Sequence, residues 1–580
     1  MKKFYIILVL LILSITVFAN PVSVQKATQI GQSFFSTDNT TGLLKTQTKD
    51  TPVLIRVLYN SNVSQATPFY IFNRSTGGFV IVAGDDVVSP ILAYSETQSF
   101  DEAEIPVNVR WWLESYSRQI EFARENNLTA SAETQQAWNN FITENMQKAP
   151  ASTDAVAPLM TTTWNQLPYY NKFCPNSDPT GCVATAMAQI MKYHNFPAQG
   201  MGNASYYHQV YGIISANFDV NYNWAQMPNA LTIYSTTAQI DAVATLMFHC
   251  GVASSMNYAP QGSGAYSICA ALALINYFGY DFNIQLYSRD YDGFTTTTWT
   301  NLVKSELDAS RPIYYAGSDG QAGHAFVCDG YNTSNYFHFN WGWGGYYDGY
   351  FLLDALNPDY QGTGGNEGGF NYGQEIITNI KPAQAGNTVA LACPSIQTNN
   401  LIPNETGNFS VTLKNTGTAN YNSYIVLRIF DYWDNYQDIT SDIENINSGQ
   451  TVVLNFSQTI YLPSGMYDLV LFCDNNNNMY DPEFAYLQYI RGIYIGNLSG
   501  IDDLQNNQIS IYPNPVKDEL HIIFNEQLPI NNVEICDITG KKILDTQYLT
   551  LGNNSINVSA LLPGMYIIKI GNHTSKFIKK

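Results

Sequence analysis

The chain opens on an unbroken apolar run, Phe4 to Phe18 in MKKFYIILVLLILSITVFAN, behind two lysines and with the small residues Val17 and Ala19 where a signal peptidase reads. This pattern predicts a cleaved export signal over 1–19. No later stretch approaches the roughly 18 to 20 consecutive apolar residues of a membrane span, so no transmembrane segment is expected. The period then changes. FYIFNRSTGGFVIVAGDD reads as two strands joined by a turn at Thr76, Gly77 and Gly78, and VRWWLESYSRQIEFARENN as an amphipathic helix. Together they predict a separate α+β unit over 20–150. It closes on QKAPASTDAVAPLMTTT, a small, polar, proline-containing stretch that reads as a linker open to cutting through about Thr163.

In the next unit, 151–384, helical periodicity appears around 182–194 and 239–250, and the pattern turns β-rich from about residue 310. Near its end QGTGGNEGGFNYG lacks the strand, lysine and helix order of a phosphate-binding loop, and reads instead as the mobile wall of a cleft. From 385 to 498 short alternating runs such as NFSVTLKN and YIVLRIFDY carry a β-sandwich signature. DNNNNMYD within it fails the EF-hand frame, with Met479 where glycine belongs, and reads as a hairpin loop. Residues 499–580 repeat the β pattern in a smaller terminal unit.

Composition narrows this picture. With 580 residues, 45% of them hydrophobic and only 13% charged, the chain is folded and too long for one core. The 27 basic against 47 acidic residues give a net charge of -20, and no basic patch interleaved with aromatics stands out, so no nucleic-acid partner is expected. Eight cysteines lie at 174, 182, 250, 269, 328, 393, 473 and 536 without CxxC pairs, which makes neither a zinc site nor a dense disulfide framework. Cys393 and Cys473 form a candidate bridge.

One cysteine has a distinctive setting. In GCVATAMAQIMKYH, Cys182 follows a glycine at the head of a predicted helix, where unpaired amides and the helix dipole favour a thiolate. The competing reading is a small buried hydrophobe. A nucleophile needs a base, an orienting group and oxyanion donors. Of seven histidines, those at 521 and 573 fall in the terminal unit, and those at 194, 208 and 249 lack a polar companion. GHAFVCDGYNTSNYFHFNWGWGG reads as a hairpin. Centring its turn on Asn332 sets His324 opposite Asn340 and His338 opposite Phe326, so His324 is the expected base. Trp341 and Trp343 could shield the pair from water. Gln166 precedes Cys182 by 16 residues and could donate to an oxyanion, although spacing alone leaves an ordinary surface glutamine equally open.

TTTWNQLPYYN, TGCVATAMAQIMKYHNFP, GHAFVCDGY, FNWGWGG, YFLLDALNP and GTGGNEGGFNYGQ, in that order, resemble the streptopain family of bacterial secreted cysteine peptidases. The resemblance implies an α+β fold: a papain-like catalytic domain, preceded by an α+β inhibitory propeptide like that family's around GGFVIVAGDD, and followed here by two β-sandwich (Ig-like) domains. It implies Cys182 as nucleophile, His324 as base, Asn340 as orienter, Gln166 as oxyanion donor and Trp341 as shield, with Gly323, Gly364 and Gly365 bordering the substrate cleft. No metal or organic cofactor is implied. The span Asn171 to Pro179 is shorter than the family pattern. YPNPVKDEL, DITGKKI and LLPGMYIIKI are similar to sorting domains of the type IX secretion route. The expected partners are protein or peptide substrates, the chain's own propeptide and that secretion machinery, and the expected location is secreted or cell-surface, reached through the periplasm. The same residues would also serve a cysteine-histidine amidase or transglutaminase-like acyl transferase, and an inert surface-binding protein is a third reading.

Overall fold

In the computed structural model the described residues are 20–36, 53–55, 67–101, 105–142, 154–318, 323–355, 373–383, 391–399, 401–431, 436–440, 444–473, 486–496, 509–512, 516–524, 533–537, 542–546, 552–561, 564–570 and 573–579. The expected signal over 1–19, the loop carrying Gly364 and Gly365, and DNNNNMYD lie outside them.

The N-terminal part contains α1 (Val24–Ser36), β1 (Val53–Ile55), β2 (Phe69–Asn73), β3 (Phe79–Ala83), β4 (Ile91–Ser95), α2 (Val107–Glu125) and α3 (Ala132–Ile142). The β2–β3 hairpin turns where the sequence places it. Gly78 has φ +104, and a Cβ there would meet the carbonyl of Ser95 at 2.9 Å, so the position requires glycine. In α2 the buried residues Trp112, Tyr116, Ile120 and Ala123 recur at helical spacing and make one apolar stripe.

The central part adds β5 (Asp154–Val156), α4 (Cys182–His194), β6 (Asn203–His208), β7 (Gly212–Asn217), α5 (Thr237–Ala253), α6 (Ser267–Asn276), β8 (Gln285–Ser288), α7 (Thr296–Asp308), β9 (Ile313–Ser318), β10 (Gly323–Asn332), β11 (Phe337–Asn340), β12 (Gly349–Phe351) and β13 (Glu375–Thr378). Both parts share one 11-stranded sheet in the order β1-β2-β3-β4-β12-β11-β10-β9-β13-β8, with β5 also paired to β10. The junction is antiparallel, Tyr94 opposite Tyr350 and Ala93 opposite Phe351.

That continuity corrects the expectation of a separate N-terminal unit. Trp112 of α2 packs edge-on against Phe339, Tyr315 and Phe326 at 4.8, 5.8 and 5.9 Å between ring centroids, so the helix stripe is buried on the central strands. A hairpin and a helix of this size cannot bury that much aromatic surface by themselves. The linker is also shorter than expected. From Asp154 the chain is already paired, with Asn332 opposite Asp154, Leu159 N–H donating to Asp329 C=O at 2.9 Å and Thr163 N–H to Asn229 C=O at 2.8 Å.

Each sheet face has its own core. Tyr314, Ala316, Ala325, Val327 and Ile377 pack with α4, α5 and α6. Ile313, Tyr315, Phe326, Cys328, Phe339 and Ile376 pack with α2 and Trp341. The alternation follows from the two-residue repeat of a strand.

The remaining described residues are all-β. Residues up to 398, with 408–458 and 466–493, form one compact unit, and 399–407, 459–465 and 494–580 a second. Within the first, Asn276 at the end of α6 is fully buried; its side-chain amide donates to Leu487 C=O at 2.6 Å and its carbonyl accepts from Cys393 N–H at 2.8 Å. Cys393 is a free, buried thiol, which removes the candidate bridge to Cys473. The two cysteines belong to strands of different sheets, Leu391–Thr398 and Gly465–Cys473. The second unit has its own small core around Leu520, Ile535, Ile568 and Phe577. Among the described residues no helix is long and apolar enough to cross a membrane.

Candidate active site

Cys182 is the first residue of α4, as the sequence pattern places it. Gly181 before it has φ +88, and a Cβ would fall 2.7 Å from the sulfur of Met256, so only glycine can deliver the chain into the helix here. The thiol accepts from the backbone amides of Ala325 and Val183, which pull its pKa down, but burial is the larger effect and holds the pKa above the ordinary thiol value. This reverses the expectation of a thiolate from helix position alone.

His324 lies on β10, opposite Gly317 of β9. Alternation puts its side chain on the Phe326 face, whereas Cys182 packs with the core that holds Ala325 and Val327. The hairpin register also differs from expectation. Asn340 pairs with Val327 and His338 with Gly330, because a bulge between Cys328 and Gly330 shifts the strands and the turn sits later, with Asn332 N–H donating to Tyr336 C=O at 2.9 Å. The bulge displaces Asp329, whose carboxylate takes His338 Nδ1 at 2.6 Å and Met160 N–H at 2.8 Å.

Asn340 is buried at the far end of the hairpin. Its carbonyl accepts from Gln189 Nε2 at 3.0 Å and Gly342 N–H at 3.1 Å, and its amide donates to Thr162 C=O at 2.7 Å. Cys182 at the head of α4, His324 on β10 and Asn340 at the end of β11 are all among the described residues.

Helix α2 occupies the His324 side of the sheet. A Cβ on Gly317 would fall 2.0 Å from Cη2 of Trp111, so the Trp111 ring fills the space beside His324 on that face. One residue-triplet earlier, Asn108 donates to Trp341 C=O at 2.9 Å and accepts from Trp343 Nε1 at 3.0 Å. Trp341 itself is buried, 4.5 Å from Phe326 and 5.1 Å from Phe351 between centroids, and its backbone N–H donates to Asp348 at 2.9 Å. Burial raises the Asp348 carboxyl to about 7 against the opposing pull of His338.

Gln166 is buried and its backbone carbonyl accepts from Thr180 N–H at 3.4 Å, two residues before Cys182; among the described residues its side-chain amide has no hydrogen-bond partner. Gly323 starts β10, opposite Ser318. Two functional supports escaped sequence reasoning. Gln189, two helical turns after Cys182, also accepts from Thr162 Oγ1 at 2.8 Å and Trp164 N–H at 3.1 Å, tying the Gln166 segment and Asn340 to α4. A lone amide in the apolar stretch VATAMAQIM was its signal. Arg289 donates to both oxygens of Asp354, at 3.0 and 2.7 Å, and to Gln374 at 3.1 Å, so it clamps both flanks of the glycine-rich stretch.

Comparison with known proteins matches three models: the peptidase C10 family over 164–351, Spi protease inhibitor over 19–120, and a secretion system C-terminal sorting domain over 510–580. The thiol protease/hemagglutinin PrtT of Porphyromonas gingivalis is 32% identical over 439 residues, 72% of this chain but 49% of that protein, so the chain spans about half of that relative. Streptopain of Streptococcus pyogenes is 37% identical over 332 residues, 54% of this chain and 80% of streptopain. A solved fragment of prointerpain A from Prevotella intermedia is 34% identical, covers 57% of this chain and all of that one, and superposes with a TM-score of 0.47. By its identity to streptopain over most of that protein's length, the chain belongs to the peptidase C10 family.

Proposed function

We propose that the chain is a cysteine endopeptidase made as a latent precursor and exported. Cys182 attacks the peptide carbonyl as its thiolate, His324 takes the thiol proton and returns it to the leaving amine, and water then releases the acyl group. Asn340 orients the imidazole, Gln166 donates to the oxyanion beside the Cys182 amide, and Trp341 excludes water from the pair. Gly323, Gly364 and Gly365 border the bound peptide. The parts are a signal over 1–19, an inhibitory propeptide over 20–150, the papain-like peptidase over 151–384, an Ig-like β-sandwich over 385–498 and the type IX sorting domain over 499–580. The sorting domain match supports passage through the periplasm to the surface or beyond.

One observation carries the reading. A segment matched by a protease-inhibitor model fills the space beside His324, where Trp111 lies against Gly317, the residue opposite His324. Removing that segment frees the His324 face. The test is the Cys182→Ala full chain. It should remain uncut when purified alone and be trimmed by added wild-type protein between Gln147 and Thr163. Hydrolysis of casein by untrimmed wild-type chain at the rate of the trimmed form would refute latency.

A further inference from the structure

Along one row of the sheet, Ala325 of β10 faces Ala316 of β9, and Ala316 faces Glu375 of β13. Residues opposed in this way share a face, so Glu375 stands on the same side as Cys182, whose thiol accepts from the Ala325 amide. Two strand spacings, about 10 Å, separate Ala325 from Glu375. Between them the floor carries only two methyl groups. The Glu375 carboxylate is only partly buried, and it accepts from the Ser267 hydroxyl at the start of α6. Ser267 Oγ also lies 3.5 Å from Tyr314 OH, and Tyr314 is close enough to both Cys182 and Glu375 to couple to them electrostatically. Gln374, held by Arg289 and by Tyr315 OH at 2.6 Å, fixes the strand where Glu375 begins it.

We infer that Glu375 is a specificity-determining residue: the trough from Cys182 over Ala325 and Ala316 to Glu375 accepts a lysine or arginine side chain of the substrate flanking the scissile bond. The methylene stem of such a side chain suits an apolar floor, and its head suits a carboxylate at the end of it. Burial raises the Glu375 pKa. A bound cation opposes that rise, and among the described residues none of the groups that touch Glu375 supplies a positive charge.

This inference rests on the peptidase reading, and its test separates the two. Matured full-length protein is assayed on peptide sets in which each position flanking the cut is varied through Arg, Lys, Gln, Leu and Glu. At one position Arg and Lys should raise kcat/KM roughly tenfold to a hundredfold over Gln, the range for a charged hydrogen bond. Glu375→Gln should abolish that preference while cleavage of the Leu and Gln peptides persists, and Glu375→Arg should favour Glu. Cleavage without charge preference in the wild type, an unchanged preference in Glu375→Gln, or loss of every peptide in that variant overturns the inference. A wild type that cleaves none of the peptides overturns the peptidase reading and the inference with it. The wild-type profile decides even where a variant fails to fold.

Discussion

Trp111 and Gly317 meet so closely that a Cβ on Gly317 would lie 2.0 Å from the indole, and the peptidase strand has no side chain where the propeptide has its largest. The fit is between a segment matched by a protease-inhibitor model and the strand that neighbours His324. Trp111→Ala should therefore loosen latency before any cut is made. Uncut Trp111→Ala precursor should react with a thiol-directed epoxide at least tenfold faster than wild-type precursor. The deleted core aromatic should also cost about 3–5 kcal/mol, read by urea unfolding. Equal labelling rates would remove Trp111 from the inhibitory contact.

His324→Ala should abolish turnover, and Asn340→Ala should leave a reduced rate, since an orienter is less essential than the base it holds. His338→Ala should keep its rate once matured and lose about 1–3 kcal/mol of stability, because it removes a hydrogen-bond partner of the fully buried Asp329 carboxylate. Activity and melting of the three variants side by side check the assignment. An inactive but stable His338→Ala would point to the wrong histidine.

Asp348 gives a pH signature. Its carboxyl is raised from 3.8 to about 7 in the folded chain, so between these values the folded state binds more proton than the unfolded one, and this group's contribution to stability falls as pH rises through that window. The displacement corresponds to on the order of 4 kcal/mol. Asp348→Asn keeps an acceptor for Trp341 N–H and carries no charge. It should match wild type near pH 4 and exceed it in stability above pH 7, as followed by melting across the range.

Asn276→Ala should cost about 2–5 kcal/mol, because it leaves Leu487 C=O and Cys393 N–H buried without their partner. Removing everything after residue 390 should lower the melting temperature of the peptidase for the same reason. Truncation after 500 should not, since the second unit has its own core. Calorimetry of the two truncations distinguishes a fixed extension of the peptidase from a passive spacer.

Local pattern was a good guide to elements whose side chains answer to their own neighbours. The helix 182–194 and the turn at Gly77 and Gly78 were legible from spacing and glycine. The His324 register was not, because a bulge at Asp329 is stabilised by contacts to Met160 and His338, one of them 169 residues away in the chain. The thiol pKa was not, because helix position is local and burial is tertiary. Gln189, Asn108 and Arg289 look like ordinary polar residues until the fold brings their partners in. The family resemblance carried the candidate site where residue spacing alone left it open.

The shared sheet has a consequence for how the peptidase comes to be folded. β2, β3 and β4 are sequential neighbours and can pair early, whereas β12 must arrive from far along the chain; Tyr116 and Leu352, joined by a hydrogen bond, are 236 residues apart. Such distant contacts form slowly, and a preformed edge at β4 offers β12 a template of unpaired backbone groups. Once the propeptide is cut away that template is no longer tethered to the chain. The mature peptidase should then persist by unfolding slowly, and denatured mature enzyme should recover activity only when the propeptide is present during refolding.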